Sequence, residues 1–168
     1  MSDVFTKAKR SEVMSRIRSR GNRDTELALA RLLRGNKITG WRRHIQISTS
    51  PRPSPQRGEG ERVRPDFVFR QARLTIFVDG CFWHGCPKHA TKPKNNRAFW
   101  HRKLSANKKR DLLVTRTLRK AGWRVLRIWE HELAKIKMTA TPHPGPLPGR
   151  GGEGAEARLL KRIRRVLM

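Results

Sequence analysis

Two short β-rich runs, Phe67-Val68-Phe69 and Leu74-Thr75-Ile76-Phe77-Val78, flank a polar break at Arg70-Gln71-Ala72-Arg73. That pattern predicts a β-hairpin whose outer ends lie side by side. Upstream, Glu26, Leu29, Ala30 and Leu33 share one face of a helix that Asp24 caps and that ends near Gly35. Downstream, a long helix from about Ala98 to Ala121 carries Trp100, Leu104, Asn107, Asp111, Leu118 and Ala121 along one stripe, with Gly122 at its C′ position. Trp41 to Ile47 reads as a first strand. Gly122 to Trp129 reads as a central strand, because its apolar residues do not strictly alternate. Ala155 to Met168 reads as a basic amphipathic helix that closes the core with Leu159, Leu160, Ile163, Val166 and Leu167. The expected fold is α/β, a mixed sheet of three or four strands flanked by helices.

Two stretches interrupt this pattern. Ser48 to Arg64 and Thr139 to Glu156 are rich in proline and glycine and carry no periodicity. PRPSPQRGEG at 51–60 echoes PGPLPGRGGEG at 144–154, a repeat of low-complexity sequence rather than of a folded unit. Both read as insertions in surface loops, where added length costs little. The expected organisation is a basic arm at 1–23, a domain at 24–137 with an insertion at about 48–64, a second insertion at 138–156 and a C-terminal basic helix at 157–168.

Charge narrows the partner. The 168 residues include 40 Lys and Arg against 13 Asp and Glu, a formal charge of +27. Such a chain is expected to bind a polyanion, nucleic acid by default, with affinity that falls as salt rises. In the arm, Ser11 can cap a short helix with Val13, Met14 and Ile17 on one side, and Arg16, Arg18, Arg20 and Arg23 seek phosphate. Charge does not choose between DNA and RNA. No stretch approaches the apolar length of a membrane span. The N-terminus does not resemble a signal peptide, which points to a reducing cytosol.

Chemistry concentrates between Asp66 and His89. Asp66 and Asp79 at the end of a hairpin suit a hard cation such as Mg²⁺, or are ordinary turn acids. Cys81, Cys86 and His89 follow at C-x4-C-x2-H spacing, and His131 comes after the Val125–Trp129 strand. Two thiolates and two imidazoles make a closed structural zinc set. A disulfide and two free buried cysteines are the alternatives, and a reducing compartment argues against the bridge. His84 remains as a candidate general acid or base. Phe82 and Trp83, being adjacent, are expected to point in different directions, as wedges into a base stack or with one capping the core. Glu26 is either a first-turn acid complementing the helix dipole or a carboxylate aimed at the site. Asn107 and Asp111 break an apolar face, so they need partners, either an arginine or the site itself.

The runs RPDFVF, FVDGCFWHGCPKH, NRAFW and GWRVLRIWEH resemble the very-short-patch repair (Vsr) mismatch endonucleases, from about residue 7 to 137 apart from one insertion. The resemblance implies a restriction-endonuclease-like fold and a nick in duplex DNA beside a T:G mismatch. It implies Mg²⁺ at Asp66 and Asp79 near the Val78 carbonyl, and His84 for proton transfer. Glu26, Asn107 and Asp111 would orient metal-bound waters or His84. A structural Zn²⁺ would be held by Cys81, Cys86, His89 and His131, and Met14, Phe82, Trp83 and Trp100 would open the base stack. Some members carry a histidine where Asp79 stands, and no lysine follows Asp79 at the spacing of many restriction enzymes. The implied setting is cytoplasmic and nucleoid-associated, as a monomer with mismatch-repair proteins as possible helpers. The rival readings are a non-catalytic, zinc-stabilised DNA-binding module disabled by its insertions, and a general basic RNA-binding protein.

Overall fold

The hairpin forms the middle of a four-stranded sheet. The computed structural model describes residues 25–48, 62–91, 93–139 and 154–168. In chain order the elements are α1 (Glu26–Gly35), β1 (Trp41–Arg43), β2 (Ile47–Ser48), β3 (Arg62–Val63), β4 (Phe67–Phe69), β5 (Leu74–Asp79), α2 (Arg97–Lys120), β6 (Arg124–Trp129), α3 (Glu130–Thr139) and α4 (Ala155–Leu167). The sheet runs β1-β4-β5-β6, and β2 and β3 form a separate ribbon. β4 pairs antiparallel with both β1 and β5, whereas β5 and β6 are parallel. A parallel pair needs a crossover, and α2 provides it. The sheet is therefore mixed and flanked by helices, in an α/β fold.

Period-two alternation sorts the hairpin onto two faces. Phe67, Phe69, Leu74 and Ile76 pack with Leu29 and Leu33 of α1, Leu133 of α3, and Leu159 and Ile163 of α4. On the opposite face Val68 packs with Ile47 and Leu118, joined by Phe77 and Val114. Strands covered on both sides read as nearly continuous apolar runs, and FVF is buried at all three positions. Full burial of a side chain such as Phe67 stabilises by about 1.5–3 kcal/mol.

Several expectations need correction. The first strand stops at Arg43, because His44 has φ +54° and leaves the ladder. Ile47 then pairs with Val63 in the ribbon. β6 pairs only with β5 among the described residues and is an edge strand, not a central one. Of its residues Ile128 alone is fully buried. Thr25, the residue before α1, makes no side-chain capping hydrogen bond. α3 was not expected at all, although Glu130 and Glu132 in its first turn complement its dipole. Glu132 Oε1 accepts from Trp129 N at 3.1 Å, and Glu132 pairs with Arg162 of α4 at 2.8 Å. Asp24, the arm with Met14, and most of both low-complexity stretches lie outside the described residues.

Topology places the chemistry at one end of the sheet. Asp66 precedes β4, Asp79 ends β5, and Glu130 and His131 follow β6. Antiparallel β4 and parallel β6 bring these positions to the carboxyl end of β5.

Candidate active site

Asp66 is fixed by the hairpin register. Phe67 stands opposite Ile76, so Asp66 comes beside Phe77, and its Oδ2 accepts a hydrogen bond from Val78 N at 2.8 Å. Burial raises its pKa to about 6 from an ordinary 3.8; the Val78 hydrogen bond lowers it, while the Glu26 and Asp79 charges push it up. The folded state therefore binds this proton more tightly than the unfolded chain does. Stability is lost as pH rises from about 4 to about 6 and is level above that, a cost of at most about 3 kcal/mol and less with solvent access. We expect Asp66→Asn, whose side-chain oxygen can still accept from Val78, to melt a few degrees above wild type at pH 7 without added divalent metal. The gap should close below pH 4. Thermal melts across that range check this, and an equal gap at pH 3.5 and pH 7 would contradict it.

Glu26 is buried at the start of α1. Its Oε2 pairs with Arg43 Nη2 and lies 3.0 Å from His44 Nε2. Glu26, His44 and Asp66 each offer a ligand atom, and these three atoms lie within 4.8 Å of one another. Asp79 stands outside that group. Both of its oxygens bind the Arg127 guanidinium, Nη2–Oδ1 being 2.7 Å. Burial alone would lower the Arg127 pKa, but the Asp79 and Asp111 carboxylates more than offset this and raise it.

Arg127 also reaches Asp111 Oδ1 at 3.0 Å, and Asp111 Oδ2 lies 2.6 Å from His84 Nδ1. His84 Nδ1 is 3.7 Å from Asp79 Oδ1. A carboxylate on Nδ1 orients the ring and leaves Nε2 as the nitrogen for proton exchange. Asn107 donates from Nδ2 to the Trp83 carbonyl at 3.0 Å and pins the loop that carries His84. The two polar interruptions of the α2 stripe thus have partners. Asp111 is paired with an arginine and also lines the cavity described next.

A cavity of about 1080 Å³ is lined by Glu26, Asp66, Val78, Asp79, His84, Asp111 and Arg127, and also by Phe82, Trp83 and Trp100. The aromatic expectation is corrected here. Phe82 and Trp83 do not diverge but meet edge to face at 5.1 Å, and Trp100 joins them at 5.3 Å and 5.9 Å. The turn after β5 folds the two rings together against α2: His84 N bonds to Gly80 O and Gly85 N to Phe82 O. Gly85 has φ +62°, and a Cβ there would overlap the end of the Lys108 side chain.

Cys81, Cys86, His89 and His131 form a second group whose ligand atoms lie within 4.8 Å of one another. Sγ of Cys81 is 3.2 Å from Nδ1 of His131, and Sγ of Cys86 is 3.6 Å from the same atom and 3.9 Å from Nδ1 of His89. Tetrahedral zinc with bonds of roughly 2.3 Å to sulfur and 2.0 Å to nitrogen sets such atoms about 3.3–3.8 Å apart. The donor set fits. Both cysteines are buried free thiols.

Three participants escaped the sequence reading. Arg127 is a cation between two apolar residues of β6, Leu126 and Ile128, and that oddity was the available signal. His44 and Arg43 were read as plain strand residues, and nothing local marks them.

Comparison with known proteins bears on the same residues. A family model described as DNA mismatch endonuclease Vsr matches residues 57–92. The type II nicking enzyme V.NaeI of Lentzea aerocolonigenes is 51% identical over 75 residues, 45% of this chain and 45% of that protein. The chain thus spans about half of that relative's length. V.XorIIP of Xanthomonas oryzae pv. oryzae, also a type II nicking enzyme, is 32% identical over 140 residues, 81% of this chain and 90% of the relative. DNA mismatch endonuclease Vsr of Escherichia coli is 38% identical over 133 residues, 77% of this chain and 74% of the relative.

Proposed function

This chain belongs to the DNA mismatch endonuclease Vsr family, and from that premise we propose that it hydrolyses one phosphodiester of duplex DNA beside a T:G mismatch with the help of a divalent cation. The fold is restriction-endonuclease-like. The observation that carries the proposal is convergence: two buried or half-buried acids from the hairpin, a His–Asp pair and an aromatic cluster line one cavity in a chain of net charge +27.

Bound cation would polarise the phosphodiester and activate a water. Asp66 would hold it, as Mg²⁺, with the Val78 carbonyl close by. Asp79 would join as a ligand once Arg127 releases it, and an arriving phosphate offers Arg127 a bidentate alternative. His84 would exchange a proton at the attacking water or the scissile phosphate, with its ring oriented by Asp111. Glu26 and Asn107 would position water and loop. Phe82, Trp83 and Trp100, with Met14 from the arm, would enter the base stack and kink the duplex. Zn²⁺ on Cys81, Cys86, His89 and His131 would tie the catalytic loop to α3 as a structural ion.

The basic arm at 1–23 would clamp phosphates, and the two low-complexity stretches would be tolerated insertions. Among the described residues no helix is long and apolar enough to cross a membrane. A monomer acting in the cytoplasm on the nucleoid, with mismatch-repair proteins as helpers, completes the reading.

The test is nicking of a panel of matched and mismatched duplexes, with Mg²⁺ or with EDTA. The expected result is one metal-dependent nick beside T:G and little or none in matched DNA. Tight T:G binding without a nick would instead identify a non-catalytic DNA-binding module. Absence of any preference for mismatched DNA would remove the proposal.

A further inference from the structure

We propose that His44 is a direct ligand of the cation held by Asp66, so that the site accepts an imidazole-binding divalent metal such as Mn²⁺ alongside Mg²⁺. The inference rests on the reading of Asp66 as the cation-binding acid and adds a ligand that the motif resemblance does not contain.

The backbone supplies the first argument. β1 is paired with β4 through Arg43 and Phe67, and one residue on His44 turns to φ +54°. Non-glycine residues enter this region uncommonly, histidine more readily than most. His44 N still donates to Asp66 O at 3.3 Å, so the turn moves the ring without releasing the chain from the aspartate. The ring comes to Glu26, with Nε2 3.0 Å from Oε2.

Geometry supplies the second. Octahedral bonds of about 2.1 Å place ligand atoms about 3.0–4.2 Å apart. The Glu26–His44 distance already has that value, and all three ligand atoms fall within 4.8 Å. Arg43 now neutralises Glu26 and stands 3.1 Å from His44 Nε2. A cation among the three side chains would take over that neutralisation. Two carboxylates and one imidazole are a mixed oxygen and nitrogen set. Mg²⁺ favours oxygen ligands and keeps its waters, whereas first-row transition ions accept imidazole.

The experiment uses the full zinc-loaded chain and Mn²⁺, with free Mn²⁺ counted by electron paramagnetic resonance and directly bound nitrogen read from the ¹⁴N hyperfine coupling. Wild type should show one coupled imidazole. His44→Asn, which tolerates the left-handed backbone, should lose the coupling and weaken Mn²⁺ by at least about tenfold, with Mg²⁺ affinity changed much less. His44→Gln serves as a second variant, and unchanged zinc content and circular dichroism confirm that each is folded. Mn²⁺ that binds through Asp66 but without nitrogen coupling would overturn the role of His44 and leave the Asp66 site standing. A coupling that vanishes in His84→Gln instead would do the same. If Asp66→Ala binds Mn²⁺ as wild type does, the underlying reading of Asp66 fails and this inference with it.

Discussion

Replacing Asp66 by alanine is expected to abolish metal-dependent nicking while leaving T:G duplex binding nearly intact. Asp66 is the acid that the hairpin register delivers to the cavity and the one shared with Glu26 and His44. Losing the cation removes several kcal/mol of transition-state stabilisation, on the order of a thousandfold or more in rate. Binding comes mainly from Lys and Arg on phosphates, and one carboxylate lost from so basic a chain does not weaken it. Single-turnover nicking beside a gel-shift titration checks the prediction. Nicking at more than a tenth of the wild-type rate would show that the cation sits elsewhere.

The second large effect is expected at Cys86, the more deeply buried of the two thiols. Cys86→Ser should lower zinc from one ion per chain to almost none. The group joins the turn after β5 to α3 through His131, so its loss frees the segment that carries Phe82, Trp83 and His84. Structural zinc contributes about 10–16 kcal/mol in zinc-finger peptides. A pre-folded domain would forfeit only part of this. Even 3–5 kcal/mol corresponds to a fall in Tm of roughly 6–20 °C at this chain length. Nicking should be lost together with the zinc, and a strong chelator should reproduce both changes in wild type. Cys86→Ser protein that keeps one zinc per chain, or zinc-free wild type that melts where zinc-loaded wild type does, would refute the ligand assignment.

Much of the architecture could be read along the chain because it follows from local spacing. Phe67–Phe69 and Leu74–Val78 announce a hairpin from their β-rich runs and the polar break between them. The stripe Glu26, Leu29, Ala30, Leu33 announces a helix face, and Gly122 at φ +78° ends α2 near the expected point. The C-terminal helix closes the core with Leu159, Leu160 and Ile163, as its pattern implied. The Cys and His residues could be grouped as metal donors from residue type and strand order together with the family resemblance. Their convergence then followed from parallel pairing of β5 with β6.

Other features depend on partners chosen far away in sequence. Whether β6 is central or at the edge depends on what pairs beyond it, and its own residues cannot state that. The same limit hid the Arg127 bridge between Asp79 and Asp111, residues 48 and 16 positions away. Adjacent Phe82 and Trp83 would diverge in a regular strand, but a turn held by Gly80 and Gly85 folds them onto Trp100 of α2. His44 reaches Glu26 only because β1 breaks beside the hairpin. Periodicity is a property of the backbone and travels with the sequence. Which charges neutralise one another is set by distances of a few ångströms, and those exist only after the sheet and its helices have packed.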